Sequence, residues 1–183
     1  MSTILAAIKG KSGNTDYFIC SMKARRLAAE TTGVGSKIRQ DINSDNIVKY
    51  IAPYLAEDND RFFGSVIVSA TGKWTFTPFG NFLGKDAAHP LYKPFMNRLN
   101  NMGILSIPDS AVWHLLDGQH RVMAIKCAIQ GKVAKGQNVA HFSANANLSD
   151  EDVSVILIPY DSQNDAPELA PRKEDIHDQQ TTN

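Results

Sequence analysis

Between Trp113 and Arg121 the chain reads WHLLDGQHR, and this stretch concentrates groups able to do chemistry. Ala111 to Leu116 is an apolar run that reads as a buried strand. It stops at Asp117-Gly118, after which Val122, Ile125 and Ile129 recur at helical spacing. A helix N-terminus leaves backbone N–H groups unpaired and carries positive partial charge, so such a junction can receive an anion such as a phosphate. Asp117 is expected to cap the helix, and Gly118 to let the backbone turn and a ligand approach. Gln119, His120 and Arg121 then supply an amide, a titratable imidazole and a permanent cation on the first turn. As a site, Gly118, Gln119, His120 and Arg121 would hold phosphate, with Arg121 forking two N–H donors onto its oxygens. Were the site hydrolytic, Asp117 would orient water or hold Mg²⁺ and His120 would transfer a proton or stabilise developing charge. A plainer account fits the same residues: a turn, a cap and a solvated polar first turn.

The elements around this step follow from patterning. Thr3–Ile8 and Asp16–Met22 read as strands separated by a Gly10–Asn14 turn, and Lys23–Glu30 as a short helix ending near Gly33-Val34-Gly35. Ser44 or Asp45 is an N-cap for a helix whose apolar face is Ile47, Tyr50, Ile51, Tyr54 and Leu55, which Pro53 should kink or shorten. Ser65–Ser69 is a β-branched strand. Gly72-Lys73 gives a hairpin-type link to the alternating segment Trp74–Phe79. A third helix is expected from His89 or Pro90 to Met102, with Leu91, Phe95, Leu99 and Met102 on one face and Gly103 as its stop. The helix after the motif runs to Gln130 with Gly131 as C-cap. Lys132–Ser149 reads as a loop, and Val153–Ile158 as a strand ended by Pro159. The organisation expected is one domain over residues 1–160 and a polar tail over 161–183, too poor in apolar residues to fold alone.

Composition excludes several classes. With 43% hydrophobic and 21% charged residues, the chain has the balance of a soluble globular protein. Zero net charge argues against a uniformly basic DNA-coating surface and leaves room for a local patch. The densest basic cluster, Lys23, Arg25 and Arg26, is the candidate DNA contact, its alternative being a solvated face. No membrane span and no secretory signal is visible, and the two distant cysteines, Cys20 and Cys127, fit a reduced, cytoplasmic setting. Cys127 should be a buried or half-buried mid-helix thiol. No metal site is expected, since the five histidines show no His-x3-His spacing. Gly10-Lys11-Ser12 copies only the end of a P-loop, and His114 reads as a core or rim histidine.

Asp117 to Arg121 spell DGQHR, and in this strand-to-helix context the chain resembles the DGQHR-domain proteins of the DndB type, associated with DNA phosphorothioate (sulfur) modification. The resemblance spans roughly Thr15 to Pro159 and is sharpest around Asp117. It implies an α/β or α+β fold, a mixed sheet of about four to six strands flanked by helices, in a ParB/sulfiredoxin-like arrangement. Relatives of that kind hold nucleotide phosphates at this step, which implies a nucleoside triphosphate with Mg²⁺ as ligand. Sulfiredoxins carry a cysteine just before the motif histidine; here Gln119 stands there, which argues against reduction of an oxidised cysteine. The function implied is a DNA-associated regulatory component of a phosphorothioate-modification or related phage-defence system, with DNA and other modification-system proteins as partners. Two other readings stay open: a nucleotide triphosphatase working through Asp117, His120 and Arg121, and an interaction module without chemistry. Because resembling proteins continue through further helices, the chain reads as a short form, a fragment or an excised domain.

Overall fold

The computed structural model describes residues 2–31, 46–82, 93–131 and 142–160. Seven strands form one sheet: β1 (Ser2–Ser12), β2 (Thr15–Lys23), β3 (Val66–Ala70), β4 (Thr75–Pro78), β5 (Met102–Pro108), β6 (Trp113–Asp117) and β7 (Asp152–Pro159). Their spatial order is β4-β5-β1-β2-β7-β3-β6, with β3 and β7 parallel and every other neighbouring pair antiparallel. The helices are α1 (Ala24–Glu30), a π-helical turn (Ile47–Ile51) leading into α2 (Ala52–Glu57), α3 (Lys93–Asn101) and α4 (Gln119–Gln130). The architecture is the expected mixed sheet flanked by helices, with seven strands where four to six were expected.

Period-two alternation sets the core. Leu5 and Ala7 of β1, Phe18, Cys20 and Met22 of β2, and Val153, Val155 and Leu157 of β7 all point to one face. Leu27 of α1, Leu55 of α2, Val122 and Ile125 of α4, and Leu148 complete that core. Cys127 is buried in α4, as expected of a mid-helix thiol.

Several boundaries differ from the sequence reading. β1 continues through Gly10 to Ser12, leaving only Gly13-Asn14 as the turn, because Tyr17 of β2 lies opposite Gly10 and its ring fills the space a side chain there would need. β3 and β4 form no hairpin. β3 is paired on both sides, by β7 and β6, and β4 joins β5 at the far edge, where Phe76 packs on Phe18. Gly103 does not stop a helix; it is a buried residue of β5, where a Cβ would lie 2.3 Å from the Thr77 carbonyl oxygen. Met102 accordingly starts a strand that the helical spacing had concealed.

Tyr50 and Tyr54 are exposed, and Ala52 and Ala56 take the buried places beside Ile47 and Leu55. Pro53 stands at the start of α2, where its missing N–H is tolerated, and the wide π turn precedes it. Within the expected 132–149 loop, Ala146–Asp150 forms a 3-10 turn capped by the Asn145 side chain, with Leu148 buried beneath it. Ser44, Asp45, the 33–35 glycine turn, the start of the third helix at 89–92 and the 161–183 tail lie outside the described residues.

Candidate functional site

The DGQHR step sits at the sheet edge. Among the described residues β6 pairs only with β3, which makes the motif strand an edge strand there, less buried than expected: Trp113 is buried, whereas Leu115 and Leu116 are half-buried. The register between β6 and β3 shifts at Ile67/Val68, an irregularity that brings Asp117 opposite Ile67. Such bulges re-aim side chains beside the ladder they interrupt. Gly118 then turns the chain at φ +92°, a conformation open to glycine and strained for residues with a Cβ. It is buried against Val66, whose two methyl carbons would both lie 3.2 Å from an added Cβ. α4 starts at Gln119 and its regular ladder begins with the Val122 N–H donating to the Gly118 carbonyl, 2.9 Å.

Asp117 does not cap this helix. Gly118 occupies the cap position and no side chain caps the end. The Asp117 carboxylate instead accepts a hydrogen bond from Arg121 Nη2 at 2.8 Å, an i,i+4 ion pair that spans the turn. The physical reason is the φ of Gly118: it rotates the strand end so that Asp117 meets the side chain one turn in. Arg121 Nη1 donates to the carbonyl oxygen of Ser65, just before β3. Its guanidinium also lies against Gly64, where a Cβ would come within 2.9 Å of Nη1. Arg121 therefore bridges the motif to the segment entering β3.

That segment has a second anchor. Arg61 Nε donates to Glu151 Oε2 at 3.1 Å, its Nη2 bonds the other carboxylate oxygen, and Nη1 donates to the Asp58 carbonyl at 2.6 Å. The bond to Glu151 is the largest cause holding the Arg61 guanidinium above its ordinary pKa, against the opposing pull of burial. Between the anchors Phe62 is 83% exposed, its N–H donating to the Tyr54 hydroxyl at 2.9 Å. Ser65 pairs its hydroxyl with that of Ser154 at 2.9 Å. The motif, the 58–65 segment and the start of β7 thus form one braced unit.

Gln119 and His120 are half-buried on the first turn of α4. His114 is a rim histidine stacked on Tyr160, centroids 5.3 Å apart. The basic cluster adjoins this unit through the 150–152 segment and is charge-matched: Lys23 pairs with Asp152 at 3.0 Å, Arg25 with Asp150 at 2.7 Å, and Arg26 with Glu30 at 3.7 Å while also donating to the Thr3 hydroxyl. The described residues contain no group of three or more His, Cys, Asp or Glu placed to hold a metal ion, and no helix among them is long and apolar enough to cross a membrane.

Gly64, Ser65, Arg61 and Glu151 were not singled out from the sequence. Ser65 acts through a backbone carbonyl, which has no sequence signature, and the Arg61–Glu151 pair joins residues far apart in the chain. The signal the sequence offered was Arg61 at the boundary between the acidic run Glu57-Asp58-Asn59-Asp60 and two phenylalanines.

Compared with known proteins, the chain matches one family model, DndB, described as DNA-sulfur modification-associated, over residues 5–166. No curated protein and no solved structure matches it.

Proposed function

The chain belongs to the DndB family of DNA-sulfur modification-associated proteins, and from that premise we propose that it is a DNA-associated regulatory component of such a system whose DGQHR step contacts phosphate. The observation that carries the reading is the position of Arg121: it stands on the first turn of a twelve-residue helix with no side-chain cap, clamped between Asp117 and the Ser65 carbonyl. A guanidinium fixed in this way loses little conformational freedom on meeting an anion, and the helix dipole adds to its attraction. The Asp117 partner offsets part of that charge and is 55% exposed. An incoming phosphate competes with this carboxylate for the same guanidinium, so binding is weak unless Asp117 swings outward. We take the ligand to be a nucleoside triphosphate, with Mg²⁺ arriving on its phosphates, or a DNA phosphate.

The test uses purified protein with ATP, GTP and CTP in Mg²⁺, read by calorimetry and phosphate release, alongside fluorescence anisotropy with duplex DNA across a salt series. Nucleotide or DNA binding without phosphate release is the expected result. Sustained release that is lost in Asp117→Asn and in His120→Ala would replace the regulator with a nucleotide triphosphatase. Absence of nucleotide and DNA binding would leave an interaction module.

A further inference from the structure

The helices that build the core all lie on one face of the sheet. The opposite face carries a continuous aliphatic row across its middle, flanked by small uncharged residues such as Ala6, Ser21 and Ser154, where charged and polar residues are the rule for a solvated sheet surface. Met102 of β5, Ile8 of β1, Ile19 of β2, Ile156 of β7 and Ile67 of β3 stand directly opposite one another, one per strand, in a single row across five strands. Ile8 is 46% exposed, Ile19 39% and Met102 39%, and Ile4, two residues along β1 from Ala6 in the same alternation, is 58% exposed. Among the strand residues of this face, formal charge appears only at its margins: the Lys23–Asp152 pair at one end and Asp117 at the edge where the row stops. Such a contiguous apolar patch marks an interaction site on a soluble domain.

The chemistry selects the occupant. Nucleic acid requires cations facing its phosphates, and the interior of this face has none. Residues 161–183 offer only Ala166, Leu169, Ala170 and Ile176 beyond their prolines, too little apolar surface to match the row. A face uncharged in its interior, with an aliphatic row through its middle, is complementary to itself, which is the requirement of a two-fold interface. Its size is sufficient. Five strands about 4.8 Å apart and about seven residues long at 3.3 Å per residue span roughly 550 Å² per copy, so a pair buries about 1,100 Å², above the threshold of about 1,000 Å² for a specific interface. β2 is the middle strand of the seven, which puts Ile19 nearest the axis of such a pair.

We propose that this open face is a homodimer interface, two copies packing sheet on sheet about β2. The experiment is sedimentation velocity on the purified chain from about 1 to about 100 µM, with Ile19→Lys and Ile19→Glu as variants and circular dichroism as the fold control. The wild type is expected to dimerise, and each variant alone to sediment as a folded monomer, because a charge buried without a partner is unfavourable. An equimolar mixture of the two variants should recover dimer, the opposite charges meeting near the axis. Should either Ile19 variant fail to fold, Ile4→Ser with Ile8→Ser, at more exposed positions, provides the second test and should weaken association by more than about tenfold. A wild type that stays monomeric throughout, a dimer that survives the substitutions, or folded Ile19 variants that remain monomeric when mixed would each overturn the assignment.

Discussion

Replacing Arg121 with alanine removes two interactions of different worth. The ion pair to Asp117 joins side chains that are 32% and 55% exposed, so solvent screening reduces it to about 0.4 kcal/mol. The hydrogen bond to the Ser65 carbonyl is part-buried and has a charged donor, worth about 1.5 kcal/mol. Together they predict a loss of about 2 kcal/mol, which for a domain of this size lowers the melting temperature by roughly 4–8 °C. Asp117→Asn removes only the charge pairing and should cost under about 0.5 kcal/mol. Urea and thermal unfolding of both variants, followed by circular dichroism, give the comparison. Arg121→Ala melting within a degree or so of the wild type, or Asp117→Asn costing as much as Arg121→Ala, would refute the view that Arg121 braces the motif against the β3 approach. The ordering also bears on binding assays, since loss of anion binding in Arg121→Ala counts only at temperatures where the variant is fully folded.

Gly118→Ala forces a Cβ onto φ +92° and against both Val66 methyls; it should lower stability by about 1–2 kcal/mol in urea titration, and unchanged stability would show that the turn relaxes freely. Burial pushes the Cys20 thiol up to about 12 from an ordinary 9.0 and raises Cys127 as well, so the unfolded chain releases these protons first and stability should fall as pH rises above about 9, by up to about 1.4 kcal/mol per pH unit for each thiol that ionises. Flat stability from pH 8 to pH 11 would contradict that burial, and alkylation at pH 8 should label neither cysteine until urea is added. Because Lys23, Arg25 and Arg26 are each matched by a carboxylate, their triple alanine variant should change the slope of log DNA affinity against log salt by less than about 1, whereas three phosphate contacts would change it by about 2.7.

What could be read from the sequence was whatever has a local signature. The β1–β2 hairpin, the β7 run and the step from β6 through Gly118 to α4 all announce themselves by alternation, turn residues or a glycine at each helix end. β5 was hidden because Phe95, Leu99 and Met102 fit a helical period that continues straight into the strand, and Gly103 imitates a helix stop. The place of β4 was missed because pairing partners are chosen by tertiary packing, here the cluster of Phe18, Trp74 and Phe76. At the motif the residue types were legible and their partners were not. Asp117 looked like a cap until the Gly118 turn brought it to Arg121, and the acids that neutralise Arg25 and Lys23 lie in the distant 150–152 segment.

The strand order carries a consequence for how the protein comes into being. β7, the last strand among the described residues, lies between β2 and β3, so β4-β5-β1-β2 and β3-β6 are two separate ribbons until Asp152–Pro159 arrives to join them. During synthesis the ribosome must deliver residue 159 and then the length of its exit tunnel before the sheet can close, and until then β2 and β3 each present an unsatisfied edge. The hairpin and the motif helix can form early, but the parallel β3–β7 pairing bridges almost ninety residues and forms late, in the manner of non-local contacts generally. A nascent chain stalled before Asp152 should accordingly be a client of chaperones, and the emergence of Asp152–Pro159 from the tunnel should be the event that commits the sheet to the native state.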